Sequence, residues 1–461
     1  MNDKVTELNP VVCKKARISR DSRFDGCFFT AVKTTGIYCR NICPATPPKE
    51  SNVIYFKTAI EAAEAGFRPC LRCRPDSAPS SAAWVGSQAV LNRAIRLLEP
   101  SVSSHYKLSE ISQYLGISDR YLRLLFKKHL GTSPKKYMLY QQCMFAKQMI
   151  HQTQLPLSEI AQASGFKSVR RFNDCFVKLM KLTPSKIRGQ SLTTNHPMLS
   201  LKLNFRPPYD WNGMQSFLAD RALKNIETVS ANSYGRSFIY RNIKGSFVAK
   251  YQPNENAFQI DIKIAEIKHL RPIINNIRRI LDVDANTVDI ESHLKALMPA
   301  GFNIKEGLRL PGIWDLFEAG IRAVLGQQVS IQAAKKLLHE LVVHLGVVEN
   351  GVHYFPTPQA IATDNLNFLK MPNSRKNSLR ALANYCIENT EANNPESWLA
   401  IKGIGPWTVN YSKMRGYSHP DVFLTGDSGI KNALAKSGVE NFNPETASPW
   451  RSYLTLQLWR Q

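Results

Sequence analysis

The chain has 461 residues, with 60 Lys and Arg against 36 Asp and Glu, which excludes a single small domain and points to a polyanionic partner, nucleic acid first. The surplus is uneven: residues 1–200 hold 30 basic and 13 acidic side chains, residues 201–461 hold 30 and 23, so the amino-terminal half is expected to be the stronger polyanion binder. No run of 18 apolar residues and no basic-then-apolar leader occurs, so a soluble, cytoplasmic protein without a membrane partner is expected, its nine cysteines kept as thiols by a reducing compartment.

In chain order, residues 1–80 are rich in proline and loops, with strand-like runs such as Cys27–Val32 and little core-forming helix. The polar stretch Asp76–Ser81 (DSAPSS) precedes a helical periodicity that begins at Val85 and runs to Leu98. Residues 100–190 contain an internal repeat. LSEISQYLGIS (Leu108–Ser118) matches LSEIAQASGFK (Leu157–Lys167), and FKKHLGTSP (Phe126–Pro134) matches FVKLMKLTP (Phe176–Pro184). Each copy reads as a helix, a turn at Gly116 or Gly165, and a second helix, the helix-turn-helix arrangement. The second helices are predicted near Ser118–Lys128 and Ser168–Lys178, with a joining helix over about Lys136–His151. Leu108, Ile111, Leu115, Ile117 and Leu122 fall at core spacing. The polar segment Ser191–Ser200 is a predicted boundary. Beyond it, residues 201–285 mix strand-like runs (Leu201–Phe205, Phe238–Tyr240, Phe258–Ile264) with helical ones, and residues 286–461 read as mostly helical.

Two local patterns carry chemistry. Cys39-x3-Cys43, followed later by Cys70-x2-Cys73, offers four soft ligands at the spacing that wraps a tetrahedral Zn2+. By itself this fits a structural staple for a thin-cored domain as well as a reactive centre. In IKGIGPW (Ile401–Trp407) two glycines two residues apart permit a tight hairpin, and Pro406 suits the first position of a new helix. Backbone N–H groups from Gly403 to Trp407 can then hold a DNA phosphate without reading sequence. Trp407 and Tyr411, four apart, share a helix face, and Asp427 follows Trp407 by 20 residues.

TTGIYCRNIC (Thr34–Cys43) with AGFRPCLRC (Ala65–Cys73) closely resembles the amino-terminal domain of the Ada methyl-phosphotriester repair proteins. The resemblance implies that Cys39 takes a methyl group from an alkylated DNA phosphate while serving, with Cys43, Cys70 and Cys73, as a zinc ligand. It also implies that Thr35 and Arg68 touch the DNA backbone. A sulfur held on zinc is already a thiolate and needs no general base. Methylation removes one negative charge from the site, which should strengthen DNA binding. Pro44 and Thr46 stand where some members carry arginines. The repeat resembles the AraC-type DNA-binding module, which implies that Arg120, Tyr121, Arg123, Ser168, Arg170, Arg171 and Asn173 face base edges.

The hairpin and Asp427, together with LNFRPPYDW (Leu203–Trp211), LRLPGIWDLFEAGIRAVLGQQVS (Leu308–Ser330) and PWRSYLTLQLW (Pro449–Trp459), resemble the AlkA-type 3-methyladenine DNA glycosylases of the helix-hairpin-helix superfamily. This implies that the Asp427 carboxylate stabilises positive charge on the sugar, and that Phe217, Arg221, Trp407, Tyr411 and Trp459 form the base pocket. The aromatic faces would favour a cationic base by about 0.5–2 kcal/mol each. It further implies that Gln327 and Gln328 lie in the loop that fills the vacated stack, and that Gly403 and Gly405 grip the DNA backbone beside a monovalent cation. Trp407 stands where bifunctional relatives carry a lysine nucleophile, so hydrolysis without strand cleavage is expected. Gln328 replaces the usual wedge leucine, and Gly426 replaces the usual acidic neighbour of Asp427. With Cys386 the only cysteine here, the four-cysteine iron–sulfur cluster of other relatives is excluded.

The expected architecture is a multidomain Ada–AlkA fusion: a small α+β zinc domain (1–80), an all-α AraC-type paired helix-turn-helix (86–190), an α+β AlkA amino-terminal subdomain (201–285) and an all-α helix-hairpin-helix glycosylase domain (286–461). Its expected partners are double-stranded DNA in the bacterial nucleoid and, as a transcriptional activator, RNA polymerase; a monomer is expected. The alternative is a transcription factor whose glycosylase half binds DNA without catalysis.

Overall fold

The computed structural model describes residues 8–20, 24–25, 27–73, 75, 91, 94–95, 98, 108–115, 117–188, 199–298, 302–389, 394–436 and 443–461. The predicted linker at 76–81, the helix start at Val85, the Gly116 turn and most of the 191–200 boundary lie outside these residues. The chain divides into two compact units, Met1–His196 with Glu266–Ile273, and Pro197–Ala265 with Ile274–Gln461. No helix among the described residues is long and apolar enough to cross a membrane.

The first unit opens on a helix that the sequence reading did not expect, α1 (Pro10–Ile18), capped by the Asn9 side chain, which accepts from Val11 N–H and Val12 N–H. It buries Cys13, Ala16 and Arg17, and the Arg17 guanidinium reaches Glu50 at 2.5 Å and the Tyr55 hydroxyl at 3.2 Å. Strands β1 (Phe29–Val32), β2 (Ile37–Arg40), β3 (Val53–Phe56) and β4 (Arg68–Pro69) form a mixed sheet in the order β3-β1-β2-β4, with β4 parallel to β2. Helix α2 (Ala59–Glu64) starts with a Thr58/Glu61 capping box. Its Ala62 joins Phe29, Ala31 and Tyr38 in a small core, too thin to be expected to hold the domain alone.

The repeat folds as α3 (Leu108–Tyr114) and α4 (Asp119–Leu130), then the joining helix α5 (Pro134–Gln152), then α6 (Leu157–Ala163) and α7 (Val169–Met180), followed by α8 (Pro184–Arg188). Ser118 and Ser168 cap the second helices equivalently, each accepting from the N–H three residues on. Both helices end in the left-handed region, at Gly131 (φ 70°) and at Lys181 (φ 55°), so the copies share a stop signal although only one uses glycine. Ile111 and Leu122 are buried, with Leu108, Leu115 and Ile117 packed partly buried against the same cluster.

Within this unit the metal-domain sheet and the joining helix meet at a buried hydroxyl pair, Tyr38 on β2 and Tyr140 on α5, 2.9 Å apart. Lys136 pairs with Glu64 at 2.5 Å nearby. Gly131 also sits against Glu61, where a Cβ would lie 2.2 Å from the Glu61 Cγ.

The second unit carries a five-stranded antiparallel sheet, β5 (Leu199–Asn204), β6 (Glu227–Ser230), β7 (Ser233–Tyr240), β8 (Ile243–Gln252) and β9 (Ala257–Ile264), ordered β5-β9-β8-β7-β6. Helix α9 (Trp211–Arg221) lies between β5 and β6 in the chain. Then follow α10 (Leu270–Ile280), whose residues up to Ile273 group with the first unit, α11 (Thr287–Leu297), α12 (Leu316–Leu325), α13 (Ile331–Leu345), the short hairpin β10 (Val347–Glu349) and β11 (Val352–Tyr354), α14 (Pro358–Thr363), α15 (Asn373–Glu388), α16 (Pro406–Gly416), α17 (Ser428–Lys436) and α18 (Arg451–Leu458).

A desolvated ion network ties the sheet to α12. Arg236 on β7 and Glu318 on α12 are each 1 % exposed and meet at 2.7 Å, and Arg322 bridges Glu318 at 2.6 Å and Glu227 at 2.7 Å. Burial alone would raise the Glu227 carboxyl, but Arg322 and then Arg236 outweigh it and hold it down at about 2. Glu318→Gln leaves two buried guanidiniums short of a counter-charge. It is expected to lower stability by about 3–5 kcal/mol, read by urea unfolding; a loss within the roughly 1 kcal/mol of a surface pair would show that the network is solvated.

Candidate functional site

In the first unit, Cys39 lies on β2 and alternates with Tyr38, whose ring enters the core, so the strand sends the thiol to the opposite face. Cys43 follows the end of β2, and Cys70 and Cys73 follow β4, the parallel neighbour of β2. All four ligand atoms lie within 4.8 Å of one another. Sulfurs tetrahedral about a zinc, about 2.3 Å from the metal, are about 3.8 Å apart, so the cluster fits the ion. Cys70 and Cys73 are buried, while Cys39 and Cys43 are partly exposed. The backbone N–H of Arg40 donates to Cys73 Sγ at 3.3 Å. Hydrogen bonding among the thiols, strongest with Cys43, pushes the Cys39 thiol up, and its bond with Cys39 pulls Cys43 down to about 7. Four thiolates this close need a cation between them. Thr35 is exposed in the β1–β2 turn and Arg68 is partly exposed at the start of β4.

On the paired helix-turn-helix, Arg120, Tyr121, Arg123, Arg170, Arg171 and Asn173 are all exposed, opposite the buried Leu122, Leu125, Phe126, Phe172 and Phe176. Ser168, grouped with them from the sequence, is also exposed and in addition caps α7, its oxygen accepting from Arg171 N–H at 3.2 Å.

In the second unit, Gly403 turns the hairpin at φ 89°, where a Cβ would lie 2.2 Å from Ser378 Oγ, so glycine is required. Gly405 caps α16 and no side chain bonds to that cap, which leaves first-turn N–H groups for another partner. Gln327 Nε2 donates to the Gly403 carbonyl at 3.1 Å and to Thr408 Oγ1 at 2.9 Å. Its amide thereby ties the loop before α13 to the hairpin, a positioning contact that its sequence assignment did not include. Gln328 is exposed beside it at φ 55°, with Val329 exposed at 37 %.

Asp427 is half-buried and takes three hydrogen bonds. Oδ1 accepts from Trp459 Nε1 at 2.9 Å and from Ile430 N–H at 3.1 Å, and Oδ2 accepts from Trp407 Nε1 at 3.2 Å. The carboxylate is therefore both the amino-terminal cap of α17 and the acceptor for two indoles from α16 and the end of α18. Trp407 and Tyr411 stack at 5.3 Å, and Trp459 stacks on Phe217 at 6.2 Å. These are the residues that the sequence assembled into one pocket.

Two guanidiniums change the expected role of Phe217. Arg221 lies 3.9 Å from its ring centroid and Arg415 lies 4.7 Å from it, and Arg415 also lies 5.7 Å from the Tyr411 ring centroid, so among the described residues the pocket rings that face no protein cation are Trp407 and Trp459. Burial lowers both arginines, Arg415 to about 10. Arg415 was missed in the sequence. It donates to Tyr411 Oη at 3.2 Å and to the Pro311 carbonyl at 2.6 Å. The available signal was the series Trp407, Tyr411, Arg415 at spacing four, one face of a single helix.

Family models match the chain over residues 12–76 (metal binding domain of Ada), 111–190 (helix-turn-helix domain) and 200–315 (AlkA N-terminal domain). The two units thus define a helix-turn-helix protein with an Ada-type metal domain, joined to an AlkA-type domain. The "Probable bifunctional transcriptional activator/DNA repair enzyme AlkA" of Mycobacterium tuberculosis (strain CDC 1551 / Oshkosh) is 32% identical over 97% of this chain and 95% of its own. The "DNA-3-methyladenine glycosylase 2" of Escherichia coli (strain K12) is 33% identical over 56% of this chain and 95% of its own. The "Bifunctional transcriptional activator/DNA repair enzyme Ada" of the same organism is 37% identical over 26% of this chain and 32% of its own. The chain belongs to the family of bifunctional transcriptional activator/DNA repair proteins of the AlkA type.

Proposed function

We propose that the protein senses and repairs DNA alkylation in one chain: the second unit hydrolyses the glycosidic bond of alkylated purines without cutting the strand, and the first accepts methyl groups at Cys39 and then activates transcription. The observation that carries the reading is the Asp427 carboxylate, fixed by three donors beside the Trp407–Tyr411 stack. A purine alkylated on N3 or N7 is cationic. When its bond to C1′ breaks, the electron pair leaves with the base, which departs neutral and needs no strong acid. The positive charge passes to the sugar, where Asp427 opposes it. Water then adds at C1′ and loses its proton. Taking the base out of the stack costs a few kcal/mol, which the aromatic faces and the Gln327–Gln328 loop offset. Base release from DNA containing 3-methyladenine, compared between wild type and Asp427→Asn, tests the reading.

In the first unit, Cys39, Cys43, Cys70 and Cys73 would hold zinc, which when bound keeps the sulfurs as thiolates at neutral pH. Cys39 sulfur attacks the methyl carbon of a phosphotriester, the carbon–oxygen bond breaks, and a phosphodiester anion leaves. Exposed Arg120, Tyr121, Arg123, Arg170 and Arg171 would read promoter DNA, Thr35 and Arg68 would contact backbone, and RNA polymerase would be met by a monomer. Gly403 and Gly405 would present the hairpin to a phosphate, with a monovalent cation at its carbonyls. We place the domain boundaries near residues 80, 190 and 285.

The indole contacts make a separate prediction. Trp459→Phe keeps a ring against Phe217 but removes one charge-assisted donor to Asp427. It is expected to lower the rate of base release about ten- to hundredfold, the equivalent of about 1.5–3 kcal/mol, with little change in KM. A rise confined to KM, with the single-turnover rate unchanged, would mean that Trp459 acts only as a stacking face.

A further inference from the structure

The second unit contains a cleft of about 290 Å3 between the carboxy-terminal end of α9 and helix α13, lined in part by Lys224, Gln332, Lys335, Lys336 and His339 and by no carboxylate. Lys335 Nζ donates to the Ala219 carbonyl at 3.1 Å, which clamps the two helices together. Lys224 and Lys336 are exposed, and neither forms an ion pair with an acidic side chain among the described residues. The buried His339 Nδ1 atom has no hydrogen-bond partner among the described residues. Ala222, Leu223 and the lysine stems make the cleft wall almost wholly apolar, while the ammonium groups of exposed Lys224 and Lys336 stay hydrated and available, so it is these two groups that suit an anion with a compact, multiply accepting head.

Its place in the fold says which anion. Helix α9 also carries Phe217 and Arg221 of the candidate pocket, and α13 begins immediately after the Gln327–Gln328 loop that is bonded to the hairpin. The two elements that form this cleft are thus continuous with elements that carry candidate-pocket residues. We propose that the cleft is a phosphodiester subsite, in which Lys224 and Lys336, with Lys335 and His339 behind them, hold backbone phosphate of the DNA flanking the everted nucleotide. The inference rests on the glycosylase reading and adds a second backbone grip to that of the hairpin. Because it uses ammonium groups and not base edges, it contributes affinity without sequence preference.

The test is Lys224→Gln with Lys336→Gln in the full chain. Both residues are exposed, and Lys335, which joins the helices, is left intact. Affinity for a short duplex carrying an abasic-site analogue is measured between about 50 and 200 mM salt, a range over which lost phosphate contacts are readily seen. The helix-turn-helix contribution is common to both proteins, so the difference isolates the cleft. The slope of log K against log salt is expected to become shallower by about one to two, since each phosphate contact contributes roughly 0.9, with about tenfold weaker binding at the lowest salt. An unchanged slope and affinity overturns the proposal. So does unchanged duplex binding accompanied by lost calorimetric binding of inorganic pyrophosphate, which would assign the cleft to a free phosphate compound. The analogue duplex requires no base release, so failure of the glycosylase reading appears separately, as a wild type that frees no base.

Discussion

Asp427→Asn is expected to slow release of 3-methyladenine about a hundred- to thousandfold, the usual effect of removing one preorganised charged or donor group at a reacting centre, while binding of an abasic-analogue duplex is retained. The substitution is nearly isosteric, yet it does two things at once. It removes the negative charge that faces the electron-poor sugar. It also upsets the local hydrogen bonding, because Trp459 Nε1, Trp407 Nε1 and Ile430 N–H all point donors at the two carboxylate oxygens, whereas an amide offers one acceptor oxygen and turns its own donors toward one of those groups. The variant should therefore lose more activity than Trp459→Phe, which removes only one donor. Quantifying free base by chromatography decides between the two readings of this half. If wild type frees no more base than the asparagine variant, the second unit is a DNA-binding domain within a transcription factor.

The second large effect concerns Cys39. Incubation with DNA carrying radiolabelled methyl phosphotriesters is expected to place one methyl group on each chain, in the peptide containing Cys39, and to stop there, since a thioether does not hydrolyse. Geometry favours this thiol or Cys43 over Cys70 and Cys73, because the latter are buried and the former are partly exposed. Within that exposed pair, Cys39 is fixed by pairing of β2 with β1, opposite Thr30, whereas Cys43 lies beyond the strand. Chelating the metal before the DNA is added should abolish transfer and unfold residues 10–75, because the core of Phe29, Ala31, Tyr38 and Ala62 is small and zinc binding in such domains is worth about 10–16 kcal/mol. Label found on no cysteine of a zinc-loaded protein would make the metal a structural staple only.

Much of this was legible along the chain because the signals are local. The offset between LSEISQYLGIS and LSEIAQASGFK is enough to place two helix-turn-helix units, and serines at 118 and 168 cap the helices just where the repeat starts them. Gly403 and Pro406 make the hairpin and the start of α16 a matter of backbone sterics. Other features were hidden. Helix α1 is short and amphipathic only in its context, and the burial of Arg17 depends on Glu50 and Tyr55, more than 30 residues away. Phe217 was assigned as a cation-binding face because its ring type allows it, but Arg221 and Arg415 occupy that role within the protein. The basic cleft joins residues near 224 and 336 that no spacing rule relates.

From the sequence alone come the donor atoms and their local geometry: four sulfurs in two close pairs, a glycine hairpin, and a carboxylate 20 residues past Trp407. These follow from periodicity and short-range sterics, which act between neighbours along the chain. Only the tertiary fold decides that the indoles of Trp407 and Trp459 both donate to Asp427, and that Gln327 braces the hairpin rather than standing free. Those contacts exist because packing closes loops across separations of 20 to 81 residues, and the direction of a hydrogen bond is set by that closure and not by the order of residues.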